Sequence, residues 1–399
     1  MPAAAIEDGF PVDSLSPSPD APFGVYVHVP FCASRCGYCD FNTYTPGELG
    51  GRSGTGEWLT ALGQELDLAA SALGRAGGPP TVRTVFVGGG TPSLLGAAGL
   101  ARVLDAIGAR FPMAESLEAT CEANPESTSP AFFEGIRAAG YTRVSLGMQS
   151  EAAHVLAVLD RAHTPGRATR AAQEARASGI EHVNLDLIYG TPGETEPDLA
   201  RSLAAVVQAP VDHVSAYALT VHQGTAMGRA VAKGELAAPD DDVLAERHAM
   251  VDEALAAAGF EWYEVSNWAK SPEARCRHNL GYWQGGDWWG AGPGAHSHVN
   301  GVRWWNAKHP ARHAALAASG RAPVAGFEAL TDEERHTEDV MLRLRVREGV
   351  ARAVLRGPEL DRAAQLVAEG LLLEQTDRIA LAPSSRMLAD GLAVRLLSA

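Results

Sequence analysis

Positive charge is scarce in this 399-residue chain: 33 Lys and Arg stand against 48 Asp and Glu, a net charge of −15. That balance argues against a nucleic-acid surface as the protein's main business. Long apolar runs are also missing, and none approaches the roughly 20 residues a helix needs to cross a bilayer. No basic stretch followed by an apolar one opens the sequence, so it does not read as a secretory signal. Cysteine is sparse: there are five, three of them between positions 32 and 39. So few and so clustered, they do not make a disulfide frame. They read as metal ligands in a reducing compartment, and the expected location is the cytoplasm. Apolar side chains are plentiful, at 46% of the residues, enough for full cores. The length exceeds one typical domain and predicts one large domain with one or two small ones.

Cys32, Cys36 and Cys39 follow the apolar run Val25-Tyr26-Val27-His28-Val29, which reads as a strand ending at Pro30. In a loop leaving a strand, the C-x₃-C-x₂-C spacing can turn three thiolates toward one point. A [4Fe–4S] cube ordinarily takes four cysteines, so three leave one iron open to a small molecule. A structural zinc site is the plainer reading, but closed zinc sites need four ligands. The nearest spare ligand is His28, and no second cysteine pair exists.

The run from Tyr26 to Cys32, followed by Cys36-Gly37-Tyr38-Cys39, resembles the cluster loop of radical S-adenosylmethionine (SAM) proteins. More narrowly, it resembles the family of oxygen-independent coproporphyrinogen III oxidase and its haem-chaperone branch. The resemblance implies a [4Fe–4S] cluster on the three cysteines. SAM would bind the open iron through its amino and carboxylate groups and be cleaved to a 5′-deoxyadenosyl radical. Tyr26 and Tyr38 belong to the implied SAM site.

Along the chain, residues 1–22 are rich in Ala, Pro, Ser and Asp without periodicity, and read as a disordered tail. From Phe23 onward β-rich runs alternate with helical ones, the pattern of βα units around a parallel sheet. The strands expected are 25–29, 84–87, 117–122, 143–146, 182–188 and 213–217. Six units make an α/β fold, a partial (β/α)₆ barrel, which the radical SAM resemblance also implies. The barrel is expected over 23–235, an accessory segment over 236–325, and a small winged-helix-like domain over 326–399.

Chemistry in such barrels collects at the C-terminal strand ends, and so do the distinctive residues here. Gly88-Gly89-Gly90-Thr91-Pro92 follows the second strand. It lacks the lysine of a phosphate-binding P-loop and resembles the family's motif for the methionine amino group. Glu122 ends the third strand, where a carboxylate can accept from ribose hydroxyls or an ammonium group. Its neighbour Cys121 reads as core. Gln149 ends the fourth strand and Arg161 follows twelve residues on; the guanidinium fork fits a carboxylate, and the resemblance assigns both to SAM. His163 reads as a surface or packing residue. Asp186 alternates with apolar neighbours in the fifth strand, so it faces one side of the sheet and needs a partner; the adenosine end of SAM is the one expected. Thr220, past the sixth strand, matches the family's adenine contact.

Tryptophans crowd the stretch from Trp262 to Trp305, together with His278, His296 and His298. By composition this is a tryptophan-rich cap over the barrel mouth, or the wall around a flat apolar cofactor. The resemblance favours the second. His278-Asn279-Leu280-Gly281-Tyr282-Trp283 fits the His-Asn-x-x-Tyr-Trp motif that separates the haem chaperones from the porphyrinogen-decarboxylating enzymes. It implies His278, Asn279, Tyr282 and Trp283 at haem, whose iron accepts histidine as an axial ligand. Cys276 belongs to the same pattern. Phe41 stands where those enzymes commonly carry a fourth cysteine, which points the same way.

From Leu330 onward, Thr331 and Glu334 form a capping box, and the stretches 366–373, 375–381 and 387–397 read as helix end, hairpin and closing helix. Ten arginines and no lysine against twelve acids in this part suit packing or partner docking better than DNA. The expected function is a haem chaperone that binds haem and passes it to an acceptor apoprotein, with a second copy of the chain as a further candidate partner. The alternative is oxidative decarboxylation of coproporphyrinogen III. A plain electron-transfer protein is disfavoured by the SAM-contact set at successive strand ends.

Overall fold

The computed structural model describes residues 10–19, 21–49, 54–161, 164 and 166–398. The first nine residues of the expected tail and His163 lie outside them. The main sheet contains six parallel strands in chain order: β1 (Phe23–Val29), β2 (Val82–Gly89), β3 (Met113–Ala123), β4 (Arg143–Gln149), β5 (His182–Tyr189) and β6 (His213–Ala218). β7 (Glu261–Glu264) and β8 (Asn267–Ala269) add antiparallel beyond β6. β9 (Asp287–Ala291) pairs parallel with the free side of β1, and β10 (His296–Val299), β11 (Val302–Asn306) and β12 (Val324–Ala329) extend that edge antiparallel.

Period-two patterning explains the sheet's two faces. Val25, Val27, Val85, Val87, Cys121, Val144, Val183, Leu185 and Val214 are fully buried in one core with the surrounding helices. Each large apolar side chain buried there contributes on the order of 1.5–3 kcal/mol. The alternate residues Thr84, Thr120, Ser145, Asn184, Asp186, His213 and Ser215 turn a polar face into the lumen. Cys121 is core, as its setting in the strand predicts.

Three features differ from, or go beyond, the sequence expectation. Residues 10–19, 21 and 22, read as part of a disordered tail, are held against the body. Phe10 packs on Trp304 and Phe327, with ring centroids 5.2 and 5.7 Å apart; Leu15 is buried; the Ser18 N–H donates to Asp287 Oδ2 at 2.7 Å. Scattered apolar residues without periodicity gave no sign of this docking. Secondly, the tryptophan-rich segment is continuous with the barrel sheet, because β9 takes up the free edge of β1. Thirdly, fully buried Glu65 on the Thr55–Leu73 helix ties down that added edge. It accepts from Gly292 N at 2.7 Å and Asn306 Nδ2 at 2.6 Å, and bonds His313 Nε2 at 2.8 Å.

The C-terminal part forms β13 (Val350–Ala351), β14 (Leu372–Gln375) and β15 (Arg378–Leu381), paired in the order β13-β15-β14. Its own core includes Val340, Leu366, Ile379 and Leu396. The capping box forms: Glu334 N donates to Thr331 Oγ1 at 3.3 Å and Thr331 N to Glu334 Oε2 at 2.8 Å, starting the Asp332–Arg343 helix. Among the described residues no helix is long and apolar enough to cross a membrane.

Candidate functional site: a cysteine loop over a polar barrel lumen

The loop after β1 is clasped at its base. Cys32 N donates to Tyr44 O at 3.0 Å and Tyr44 N to Pro30 O at 2.7 Å, so the cysteines between are presented over the C-terminal strand ends. Cys32, Cys36 and Cys39 line one cavity of about 660 Å³. Thr91 Oγ1 donates to Cys32 Sγ at 3.7 Å. Burial pushes the Cys32 thiol up, and pushes Cys39 up to about 11 with help from its cysteine neighbours; a bound metal reverses that preference by stabilising thiolates. Among the described residues no three His, Cys, Asp or Glu side chains converge on one point as a single ion would require. His28, the candidate fourth zinc ligand, has both ring nitrogens engaged, by Tyr26 OH and by Asn42 O, each at 3.0 Å.

The same cavity gathers Tyr38, Gly89, Gly90, Thr91, Glu122, Gln149, Arg161, Asp186 and Thr220. Of the residues expected at SAM, only Tyr26 faces the neighbouring larger cleft instead. Gly89 sits at φ +106°, and a Cβ at Gly90 would lie 2.5 Å from the Phe31 carbonyl oxygen and 2.9 Å from that of Val29. Only glycines let this turn pass beneath the cysteine loop. Gly90 N donates to Val29 O at 2.7 Å, and Gly89 N to Glu122 Oε2 at 3.0 Å.

Two buried carboxylates share the lumen. Burial, and then the nearby Asp186 charge, push Glu122 up to about 8. Burial lifts Asp186 to about 6, against the pull of its hydrogen-bond donors. Those donors are Ser145 Oγ at 3.0 Å and Asn184 Nδ2 at 2.7 Å, so the partner Asp186 needs is supplied first by the protein.

Gln149 follows a register shift at the end of β4 and holds φ +66°, a strained setting for a non-glycine residue and common at functional sites. Its Oε1 is buried without a hydrogen-bond partner, as is Nε of Arg161. A Cβ at Gly147 would stand 2.6 Å from Arg161 Nη2, so glycine makes room for the guanidinium. Orphaned polar atoms of this kind fit a ligand that brings its own donors and acceptors. The donor set therefore suits both groups the cavity was expected to hold: thiols for iron, and a carboxylate-matching fork beside them.

Sequence reasoning missed a lumen ladder. Asn184 Oδ1 bonds His213 Nδ1 at 2.7 Å, His213 Nε2 bonds Tyr263 OH at 2.7 Å, and Cys276 N donates to Tyr263 OH at 3.1 Å. The available signal was polar residues two apart in β5 and β6, Asn184 with Asp186 and His213 with Ser215.

The His278 motif forms the Arg277–Trp283 helix, lodged against the lumen side of β2 and β3. Glu118 of β3 caps it, accepting from Arg277 N at 3.0 Å and His278 N at 2.9 Å. His278 is 3% exposed. Its Nδ1 bonds Thr84 Oγ1 at 2.8 Å, its Nε2 bonds Tyr282 OH at 2.7 Å, and it stacks on Phe86 at 5.3 Å. Burial drives its pKa down to about 3, so the ring is neutral, and neither nitrogen is left for a metal in this arrangement. Asn279 lines the thiol cavity with Cys276. Tyr282 and Trp283 face a second cleft of about 1640 Å³.

A partial parallel barrel whose strand ends carry a C-x₃-C-x₂-C loop over a polar lumen defines the radical SAM class, and the family model described as "Radical SAM superfamily" matches residues 26–206. A solved structure of coproporphyrinogen III oxidase (HemN) from Escherichia coli, described as a radical SAM enzyme, has TM-score 0.81 at 21% identity. It covers 96% of this chain and 91% of that one, a likeness of fold. A Mycobacterium tuberculosis protein named "Heme chaperone HemW" is 60% identical over 383 residues, 96% of this chain and 97% of the relative. The protein of that name in Escherichia coli is 38% identical over 279 residues, 70% of each chain. The chain belongs to the HemW family of radical SAM proteins.

Proposed function

We propose that this protein is a haem chaperone that binds haem and hands it to an acceptor apoprotein, on a scaffold that binds a [4Fe–4S] cluster and SAM. The observation that carries the reading is the junction of two cavities. The thiol-lined lumen and the wider aromatic cleft share Asp40, Phe41, Gly89 and Glu122 as walls.

Cys32, Cys36 and Cys39 would hold the cluster, which when bound supplies an open iron and a single electron. Arg161 directs its fork at the SAM carboxylate, a bidentate match, and Gln149 Oε1 accepts from the SAM amino group. Gly90 and Thr91 let the methionine end approach the backbone. Asp186 and Glu122 accept from the ribose hydroxyls, and Thr220 and Tyr38 border the adenine end. Tyr282 and Trp283 form part of the haem cleft wall, with His278 and Asn279 bracing them from the lumen. Phe41, 60% exposed at the shared lip, offers haem an apolar edge.

The test is anaerobic protein, reconstituted with iron and sulfide and given SAM and a reductant, with haem and an apo-haem acceptor in one arm and coproporphyrinogen III in the other. The expected result is haem retention and transfer to an apo-haem protein, with no protoporphyrinogen IX formed. Sustained decarboxylation would replace this reading with the enzymatic one.

A further inference from the structure

We propose that haem binds along the lumen-side face of β9–β11, with His296 as axial ligand and Lys308 facing a propionate. The inference rests on the haem-binding reading and goes further by naming the residue that meets the iron.

The register sets the face. Gly24 and Tyr26 of β1 pair with Trp288 and Gly290 of β9, Trp288 with His298 of β10, and His296 with Trp305 of β11. Directly paired residues point to one side of a sheet, so Trp288, His296 and Trp305 continue the surface that carries Tyr26 inside the barrel. All three line the large cleft. At about 1640 Å³ the cleft exceeds the roughly 300–1,000 Å³ usual for small-ligand pockets, which suits a broad, flat ligand. Trp305 lies nearly parallel to the His296 ring, 28° between planes at 6.0 Å. Trp288 Nε1 donates to His296 O at 2.9 Å, and the Tyr282 and His298 rings pack on the indole at 4.6 and 5.2 Å, so it is held in place as a wall of the cleft.

Four histidines line this cleft, and hydrogen bonding separates them. His28 has both nitrogens engaged. His298 bonds Gly286 O through Nδ1 and accepts from Gly301 N at Nε2, each at 3.0 Å. His336 is held by Glu359 through Nε2 at 2.8 Å and its side chain is only 12% exposed. The His296 ring takes no hydrogen bond at either nitrogen among the described residues, and the residue is exposed on the cleft. Partial burial and nearby Lys308 lower its pKa, which favours the neutral imidazole that haem iron binds. His278 has the opposite character, sealed in with both nitrogens committed.

The cations divide in the same way. Arg303 pairs with Glu328 and Glu338, and Arg343 with Asp339. Arg335 donates to Leu330 O and Asn300 Oδ1, and Arg378 to the Glu348 and Gly349 carbonyls. Lys308 lines the cleft, and its ammonium makes neither an ion pair nor a hydrogen bond among the described residues, so its charge is available to a propionate.

The experiment titrates the full-length, cluster-reconstituted protein with ferric haem and, separately, with metal-free protoporphyrin IX. It reads difference absorbance in the Soret band and the ferric electron paramagnetic resonance spectrum. His296→Ala is expected to weaken ferric haem at least tenfold, roughly the loss of one strong contact, to change the ligand signature, and to leave metal-free porphyrin binding unchanged. Lys308→Ala should weaken both porphyrins. His336→Ala, checked for folding by circular dichroism, should keep the axial signature. Unchanged affinity and spectrum in His296→Ala, or loss of the signature in folded His336→Ala, would overturn the assignment alone. A wild-type protein that binds neither porphyrin would overturn the chaperone reading with it.

Discussion

At residue scale the site is governed by what burial does to polar groups. Arg161 keeps an unpartnered Nε inside the lumen, next to a glycine that makes room for it. Replacing it should cost ligand binding more than fold. Arg161→Ala is expected to weaken SAM on the order of 10- to 100-fold, the scale of losing a hydrogen-bonded charge contact. Arg161→Lys should recover little, since the fork is lost. Isothermal titration of reconstituted protein measures both, with cluster absorbance as the control. Glu122 gives a pH signature. Its folded pKa, about 8, lies above the usual carboxylate range because of burial, so the folded chain holds a proton that the unfolded chain has released. Stability therefore falls as pH rises from the ordinary carboxylate range toward about 8. Glu264, also raised to about 8 by burial, contributes in the same direction. Glu122→Gln should flatten this slope and stabilise the ligand-free protein at pH 8 relative to wild type, by urea denaturation at pH 5 and pH 8. An unchanged slope would mean that Glu122 is already ionised in the fold.

At the scale of elements, one short helix depends on one buried acid. Glu118 caps the Arg277–Trp283 helix through two backbone N–H groups and lies 3.7 Å from buried Arg143. Removing it orphans both donors and leaves the guanidinium without its counter-charge. Glu118→Ala is expected to cost about 3–5 kcal/mol, read from the urea midpoint. Glu118→Gln should cost less, because the amide oxygen still accepts. The helix carries His278 against Thr84 and Tyr282, so the motif first identified by its resemblance acts here as a plug that shapes two cavities.

At the scale of the whole molecule, the C-terminal module has its own core and docks through a small set of contacts. Arg386 lies over the Trp262 ring at 4.4 Å and bonds Asp252 at 2.9 Å. Arg347 N donates to Tyr263 O at 2.9 Å, and Arg275 pairs with Glu348 at 2.7 Å. Because Arg335, Asp339 and Arg343 of this module border the large cleft, docking completes the cleft without touching the cysteine loop. Arg386→Glu should speed proteolysis between the two parts and weaken porphyrin binding. The iron–sulfur absorbance should stay at the wild-type level; its loss would show that the two parts fold as one unit.

Local chemistry wrote much of this protein directly into its sequence. The C-x₃-C-x₂-C spacing, the six β-rich runs and the glycine turn after β2 depend on short-range rules of strand period and turn geometry, and all three stand where those rules predict. The Thr331–Glu334 box is equally local. Long-range pairing decided what no local pattern encodes. β9 joins β1 across more than half the chain, Glu65 reaches residues beyond position 290, and Phe10 finds Trp304. The fates of the histidines were settled the same way. His278 and His296 are the same residue type in the same aromatic stretch, and only the packing of distant strands buries one with both nitrogens bonded and leaves the other on an open cleft. A side chain's chemistry is carried by its own residue, but its solvation and partners come from whatever the fold places beside it.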